Sequence, residues 1–165
     1  MTVKISYSKK IFNKSSSNLV FFSNDKFNIN NLKNNLSESE LTYISDLLKT
    51  ADLKKKILTF EINSKKKVVL VSIKSNLKHS DIENLGAEFY GFVNYGKNSE
   101  YYIFSDSIVS KYDNFLGLFL HGLKLKSYEF KKYKTKKDTR LISINIVGKK
   151  NKPSIQTQLK FKALE

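Results

Sequence analysis

The run VVLVSI at residues 68–73 constrains the fold more than any other stretch of this chain. A strand with one wet face alternates apolar and polar side chains, whereas a strand covered on both faces reads as a nearly unbroken apolar run. Residues 68–73 therefore call for a central strand with layers packed above and below it. Just upstream, residues 57–62 alternate, with Leu58, Phe60 and Ile62 on one side and Thr59 and Glu61 on the other. The lysines at 65–67 read as the polar turn between the two strands.

Further strands are expected at residues 3–7, at LVFF (19–22), at 101–104, and where Ile142, Ile144 and Ile146 alternate with Ser143 and Asn145. Between them stand helical patterns. Ser37 and Glu40 are spaced as a capping box, and Leu41, Ile44, Leu47 and Leu48 follow on one face. Ser80 and Glu83 repeat the signal ahead of Ile82, Leu85, Gly86, Phe89, Phe92 and Val93. Ser110 and Asp113 introduce a third helix carrying Tyr112, Phe115, Leu116, Phe119 and Leu123. Leu118 and Leu120 make it apolar nearly all round, so it should lie deep. In it, Gly117 and Gly122 would let a neighbouring element approach closely. Pro153 and Ser154 open a last helix over 155–164. The Asn-rich stretch 24–36 reads as loop. Strands alternating with helices imply an α/β sandwich with a largely parallel or mixed central sheet. No linker, repeat or low-complexity tract divides the 165 residues, which read as a single domain, 1–165. The last helix runs into Glu165 without a stop signal, as though more chain should follow.

Hydrophobic content of 40% and aromatic content of 13% suffice for a core. The absence of Cys excludes a disulfide framework, a thiolate metal site and a cysteine nucleophile. No signal-peptide-like start and no apolar run of membrane-spanning length is present, so the expectation is a soluble, cytoplasmic protein with no membrane partner. The net charge of +15 is uneven: residues 124–165 hold twelve Lys and Arg140 against three acids, and the first 123 residues hold seventeen Lys against twelve acids. Five of those lysines, Lys131, Lys132, Lys134, Lys136 and Lys137, fall in the aromatic–basic run YEFKKYKTKK at 128–137 and form a candidate polyanion contact. With a single Arg in the chain, the bidentate fork used for phosphate and guanine is nearly absent, and a solvated lysine surface is the plainer reading.

Catalytic patterns are missing. His79 and His121 are far apart in sequence with no carboxylate at ligand spacing, and both read as structural. The acid pairs Glu38/Glu40 and Asp81/Glu83 fall in first helical turns, where they complement the helix dipole. None of the six glycines builds a Gly-rich phosphate loop; the nearest is Gly148 with Lys149, Lys150 and Lys152 ahead of a helix start. No catalytic or metal-binding constellation emerges, and no cofactor is expected on this chain.

The segment FLHGLKLKSYEFKKYKTKK (119–137) resembles the stretch that closes the amino-terminal domain of leucyl aminopeptidases, the cytosol aminopeptidase family. The matching positions are Gly122, Leu123, Leu125, Ser127, Tyr128, Phe130, Tyr133, Lys134 and Thr135. LVFF (19–22), LGAEFYGFV (85–93) and ISINIVG (142–148) follow the same upstream and downstream order. The resemblance implies a macro-domain-like fold, a three-layer αβα sandwich with a mixed central sheet. It also implies a non-catalytic domain of an enzyme that releases amino-terminal residues from peptides. Its two divalent metals, Zn or Mn, and its catalytic residues would belong to a carboxy-terminal catalytic domain absent from these residues. The implied partners are that catalytic domain, further copies in a hexamer, and DNA in some bacterial members. Macro domains bind ADP-ribose through Gly-rich loops, which this sequence lacks. On this reading Tyr128, Phe130 and Tyr133 pin a connector to the domain while its lysines reach outward. A sequence-independent nucleic-acid-binding module is the alternative.

Overall fold

A computed structural model describes residues 2–8, 17–94, 100–109, 112–128 and 141–163. In chain order they form β1 (Thr2–Ser8), β2 (Asn18–Asn24), α1 (Glu38–Thr50), β3 (Ile57–Asn63), β4 (Lys66–Ile73), α2 (His79–Asn94), β5 (Glu100–Phe104), α3 (Phe115–Ser127), β6 (Leu141–Val147) and α4 (Ile155–Ala163). Short 3-10 turns occupy Asn30–Leu32 and Ser105–Ser107. The six strands form one sheet in the order β1-β6-β5-β2-β4-β3. Every neighbouring pair is parallel except β3 with β4, which are joined by a two-residue turn and run antiparallel. The sheet is mixed, and helices lie on both of its faces: the fold is a three-layer αβα sandwich.

The period-2 alternation of the strands sorts the core into two halves. On one face Val20, Phe22, Val69, Val71, Ile103, Ile142, Ile144 and Ile146 meet α2 and α3, with Phe161 of α4 joining them. On the other face Leu19, Phe21, Leu58, Phe60, Val68 and Leu70 meet Ile44 of α1 together with Phe27, Leu32 and Leu36 of the preceding loop. The run 68–73 is buried at every position, as a strand covered on both sides must be. Residues 25–36 are loop apart from one 3-10 turn, yet this loop supplies core. Phe27 is 2% exposed despite a φ of 51°, a conformation costly for a bulky residue that its buried ring offsets.

The Ser37–Glu40 capping box is complete: the Glu40 N–H donates to Ser37 Oγ, and the Ser37 N–H donates to Glu40 Oε2. Elsewhere the sequence expectations need correction. α2 starts at His79, because the Asp81 carboxylate accepts the Lys78 N–H at 2.8 Å and closes the first turn ahead of the expected Ser80–Glu83 box. α3 starts at Phe115 with Asn114 before it, so Tyr112 and Asp113 precede the helix; Ser110 lies outside the described residues. Phe92 is 39% exposed and Tyr90 is buried in its stead. The stripe 82/85/86/89/90/93 follows helical spacing, and position 92 falls just outside it, about 20° beyond the edge that Leu85 marks. Leu47, 36% exposed, likewise falls beside the stripe of Leu41, Ile44, Leu48 and Ala51. Lys66 and Lys67 belong to β4 rather than to a polar turn, and the Lys66 side chain is buried, its ammonium 2.6 Å from Glu40 Oε1.

The α2–α3 contact is made backbone to backbone. A Cβ at Gly86 would stand 1.9 Å from the Phe119 carbonyl oxygen, and one at Gly122 would stand 1.9 Å from the Glu83 carbonyl oxygen. Gly122 thus serves the close approach its position suggests. Gly117 does not: an added Cβ there would meet the side chain of Asn114, so this glycine makes room within its own helix start.

Candidate functional site

In open parallel sheets, ligands settle at the carboxyl ends of the strands where the strand order reverses. Here that point lies between β2 and β5, since the chain leaves β2 towards β4 and returns through α2 to β5 on the other side. β2 and β5 pair over three residues, Asn18–Tyr101 to Val20–Ile103. Past them the turn Ser105–Ser107 folds over the gap. Ser107 Oγ accepts the Phe22 N–H at 2.9 Å and donates to the Phe104 carbonyl at 2.6 Å. A serine hydroxyl therefore stands where a cleft would open.

The adjoining turn after β6 contains Gly148, whose φ of 139° suits glycine alone and whose Cβ would fall 2.3 Å from Ser105 Oγ. Its following amides point at a carboxylate of this same chain. Asp106 accepts the Lys149 N–H at 2.9 and 3.1 Å and the Lys150 N–H at 2.6 Å. Asn151, with φ 57°, donates its side-chain amide to the Ser105 and Ile108 carbonyls. The amides that would greet a phosphate are satisfied from within, and an incoming anion would face the charge of Asp106. This rim is built as a structural clasp.

The five lysines of the candidate polyanion contact, Lys131, Lys132, Lys134, Lys136 and Lys137, lie outside the described residues, as do Phe130 and Tyr133. Tyr128, which follows α3, is 74% exposed. His79 meets Tyr112 edge-on with ring centroids 6.4 Å apart. His121 Nδ1 lies 2.7 Å from Glu83 Oε1, bridging α3 to α2 beside the glycine crossing. Sequence spacing could not reveal that pair, because its members are brought together only by helix packing. Asp106 escaped notice for the same reason. Among the described residues no three His, Cys, Asp or Glu side chains gather in a group able to hold a metal ion. No described helix is long and apolar enough to cross a membrane.

On the α1 side of the sheet, β1, β6 and β5 carry a polar row. Ser6 Oγ donates to Asn145 Oδ1 at 2.5 Å, and Asn145 Nδ2 and the Tyr102 hydroxyl both donate to Glu100 Oε1, at 3.0 and 2.9 Å. Burial, the Tyr102–Glu100 hydrogen bond and the Glu100 charge push the Tyr102 phenol above its ordinary value, so it stays a neutral donor.

No protein-family model and no curated protein sequence matches this chain. Solved structures do. A mutant of tomato leucine aminopeptidase superposes on 99% of this chain with a TM-score of 0.65 at 15% identity, and the match covers 35% of that enzyme. The macrodomain of DarG from Thermus aquaticus superposes on 89% of this chain with a TM-score of 0.56 at 6% identity, over 99% of its own length. The fold is macrodomain-like. It is shared with about a third of a leucine aminopeptidase.

Proposed function

We propose that this chain is the non-catalytic amino-terminal domain of a metal-dependent leucyl aminopeptidase, serving assembly or regulation of an enzyme that releases amino-terminal residues from peptides. The observation that carries this reading is the asymmetry of the aminopeptidase match: nearly all of this chain against 35% of that enzyme. The resemblance at residues 119–137 supports it independently. The self-satisfied rim around Asp106 and Ser107 supports it further, since a stand-alone nucleotide binder would keep that edge open. On this reading two Zn or Mn ions and the catalytic residues reside in a separate catalytic domain of the same cytoplasmic enzyme, which forms a hexamer. No reaction step falls to a residue of this chain.

The test is the reading frame beyond the Glu165 codon. An in-frame continuation encoding clustered carboxylates and an active-site lysine is expected, and a stop codon there would overturn the proposal. A complementary assay offers leucine p-nitroanilide with Mn²⁺ or Zn²⁺ to the isolated chain. Metal-dependent turnover would refute a non-catalytic role.

One observation favours a second reading, a sequence-independent nucleic-acid-binding module. Within the charge surplus of residues 124–165, Lys149, Lys150, Lys160 and Lys162 are exposed. Affinity for duplex DNA should then fall steeply with salt as counterions are released. Undetectable binding at physiological ionic strength removes this reading.

A further inference from the structure

A groove of ≈ 650 Å³ runs along α2, between that helix and the ends of β3 and β4, and the carboxyl-rim clasp contributes nothing to it. Its size falls within the range of small-molecule sites, roughly 300–1,000 Å³. Asp81, Asn84, Glu88 and Gly91 line it from one stripe of α2, at helical spacing. Its apolar surface comes from Leu77, Leu85 and Ala87. At Gly91 an added Cβ would meet nothing within 4 Å, so the space continues over that position.

The charges in the groove are unequal in their commitments. Asp81 accepts the Lys78 N–H, and Glu88 Oε1 holds the Lys56 ammonium at 2.5 Å. Lys74 and Lys126 also line the groove, and among the described residues neither has a carboxylate partner. Two uncommitted ammonium groups above an apolar floor, with the amides of Asn76 and Asn84 close by, complement an anion that carries an apolar body.

We propose that this groove binds a small amphipathic anion, its carboxylate or phosphate head facing Lys74 and Lys126 and its apolar part resting on Leu77, Leu85 and the open space at Gly91. The proposal stands apart from the aminopeptidase reading, since either can fail alone. It is tested by following amide resonances of the full 165-residue chain during titration with N-acetyl-leucine, phenyl phosphate, uncharged N-acetyl-leucinamide and inorganic phosphate. Shifts confined to Gly91, Asn76, Asn84 and their neighbours are expected with at least one of the first two probes. Whichever of those binds more tightly identifies the head group. Removing the charge or the apolar body should weaken binding at least tenfold, about 1.4 kcal/mol.

Two kinds of variant separate binding from folding. Gly91→Leu carries bulk into the groove from a position whose Cβ meets nothing within 4 Å, and should abolish the shifts without lowering the thermal midpoint. Lys74→Glu with Lys126→Glu changes only exposed or rim charges and should weaken binding by a similar factor. The proposal is overturned if neither amphipathic anion shifts these resonances at about 10 mM, far weaker than a Kd of about 1 mM. Shifts spread evenly over all exposed lysines, or shifts unchanged in a folded Gly91→Leu protein, would overturn it equally.

Discussion

The two helix layers are attached to the sheet by opposite means. On one face α2 and α3 approach each other until only hydrogen fits at Gly86 and Gly122, and the ring of Phe119 packs against Phe22 and Phe89. On the other, α1 contributes a single fully buried side chain, Ile44, and is tied to β4 by the ion pair of Glu40 with Lys66. The first layer is held by shape and the second in good part by charge. The first should therefore fail on small additions of volume and the second on changes of pH.

The largest expected effect is Gly122→Val. Its Cβ would stand 1.9 Å from the Glu83 carbonyl oxygen and 2.7 Å from the Glu83 Cα, rigid backbone that no rotamer change relieves. Overpacking of well-packed cores costs about 1–3 kcal/mol where neighbours can move, and more is expected here. The outcome should be loss of the cooperative thermal transition or a fall of the midpoint by more than about 10 °C. A variant that unfolds at the wild-type temperature would mean that α2 and α3 do not cross at these glycines.

Lys66→Met tests the other layer. Burial alone would raise the Glu40 carboxyl, but the Lys66 ammonium and the Ser37 amide and hydroxyl outweigh it and hold the group below its ordinary 4.5. A carboxylate with a depressed folded-state pKa adds stability above its unfolded value and loses that stability as pH falls through the folded one. Wild type should therefore lose stability from this source below about pH 4.5. The variant should be weaker by about 2 kcal/mol at neutral pH, below the usual cost of breaking a buried pair because Glu40 keeps its bonds to Ser37. Denaturant titrations at pH 7 and pH 3 decide the matter: the gap between the two proteins must narrow at the lower pH, and a constant gap would show the pair to be energetically inert.

The shape-held layer was far more legible in the sequence than the charge-held one. Apolar spacing identified Ile82, Leu85, Gly86, Phe89 and Val93, because a buried stripe repeats at the helical period whatever it packs against. The unbroken run 68–73 announced its own burial, and Ser37 with Glu40 announced a helix start because both bonds of a capping box are local. Lys66 reads as turn because nothing near it in sequence reveals that a carboxylate 26 positions away will meet it in the fold. Asp106 was invisible for the same reason, its partners lying 43 and 44 positions downstream. Cap signals that overlap compete, too: Asp81 won the first turn of α2 from Ser80 and Glu83, and Glu83 was left to reach across to His121.

Gly91→Ala sharpens the contrast between glycines that look alike in sequence. Gly86 and Gly91 both occupy the interior of α2, yet a Cβ meets carbonyl oxygen at the first and open space at the second. Relieved of its backbone entropy, the helix should gain about 0.5–1 kcal/mol from alanine at position 91. Chemical denaturation should show a higher midpoint with an unchanged slope. A lower midpoint would place an unrecognised neighbour over this stretch of α2.

The smallest effect belongs to Glu83→Gln, which breaks the bridge from α2 to α3. Its 2.7 Å distance to His121 nearly equals the 2.6 Å of the Glu40–Lys66 pair. What differs is solvent: the His121 and Glu83 side chains are 43% and 34% exposed, against 7% and 17% for Lys66 and Glu40. Water screens the first pair in both the folded and the unfolded chain, so its loss should cost no more than about 0.5 kcal/mol. Comparing Glu83→Gln with Lys66→Met therefore holds contact distance nearly fixed and varies burial and the kind of cation, imidazole against ammonium. If the two substitutions cost the same, distance rather than desolvation governs these pairs, and α1 is held no more by charge than its opposite layer.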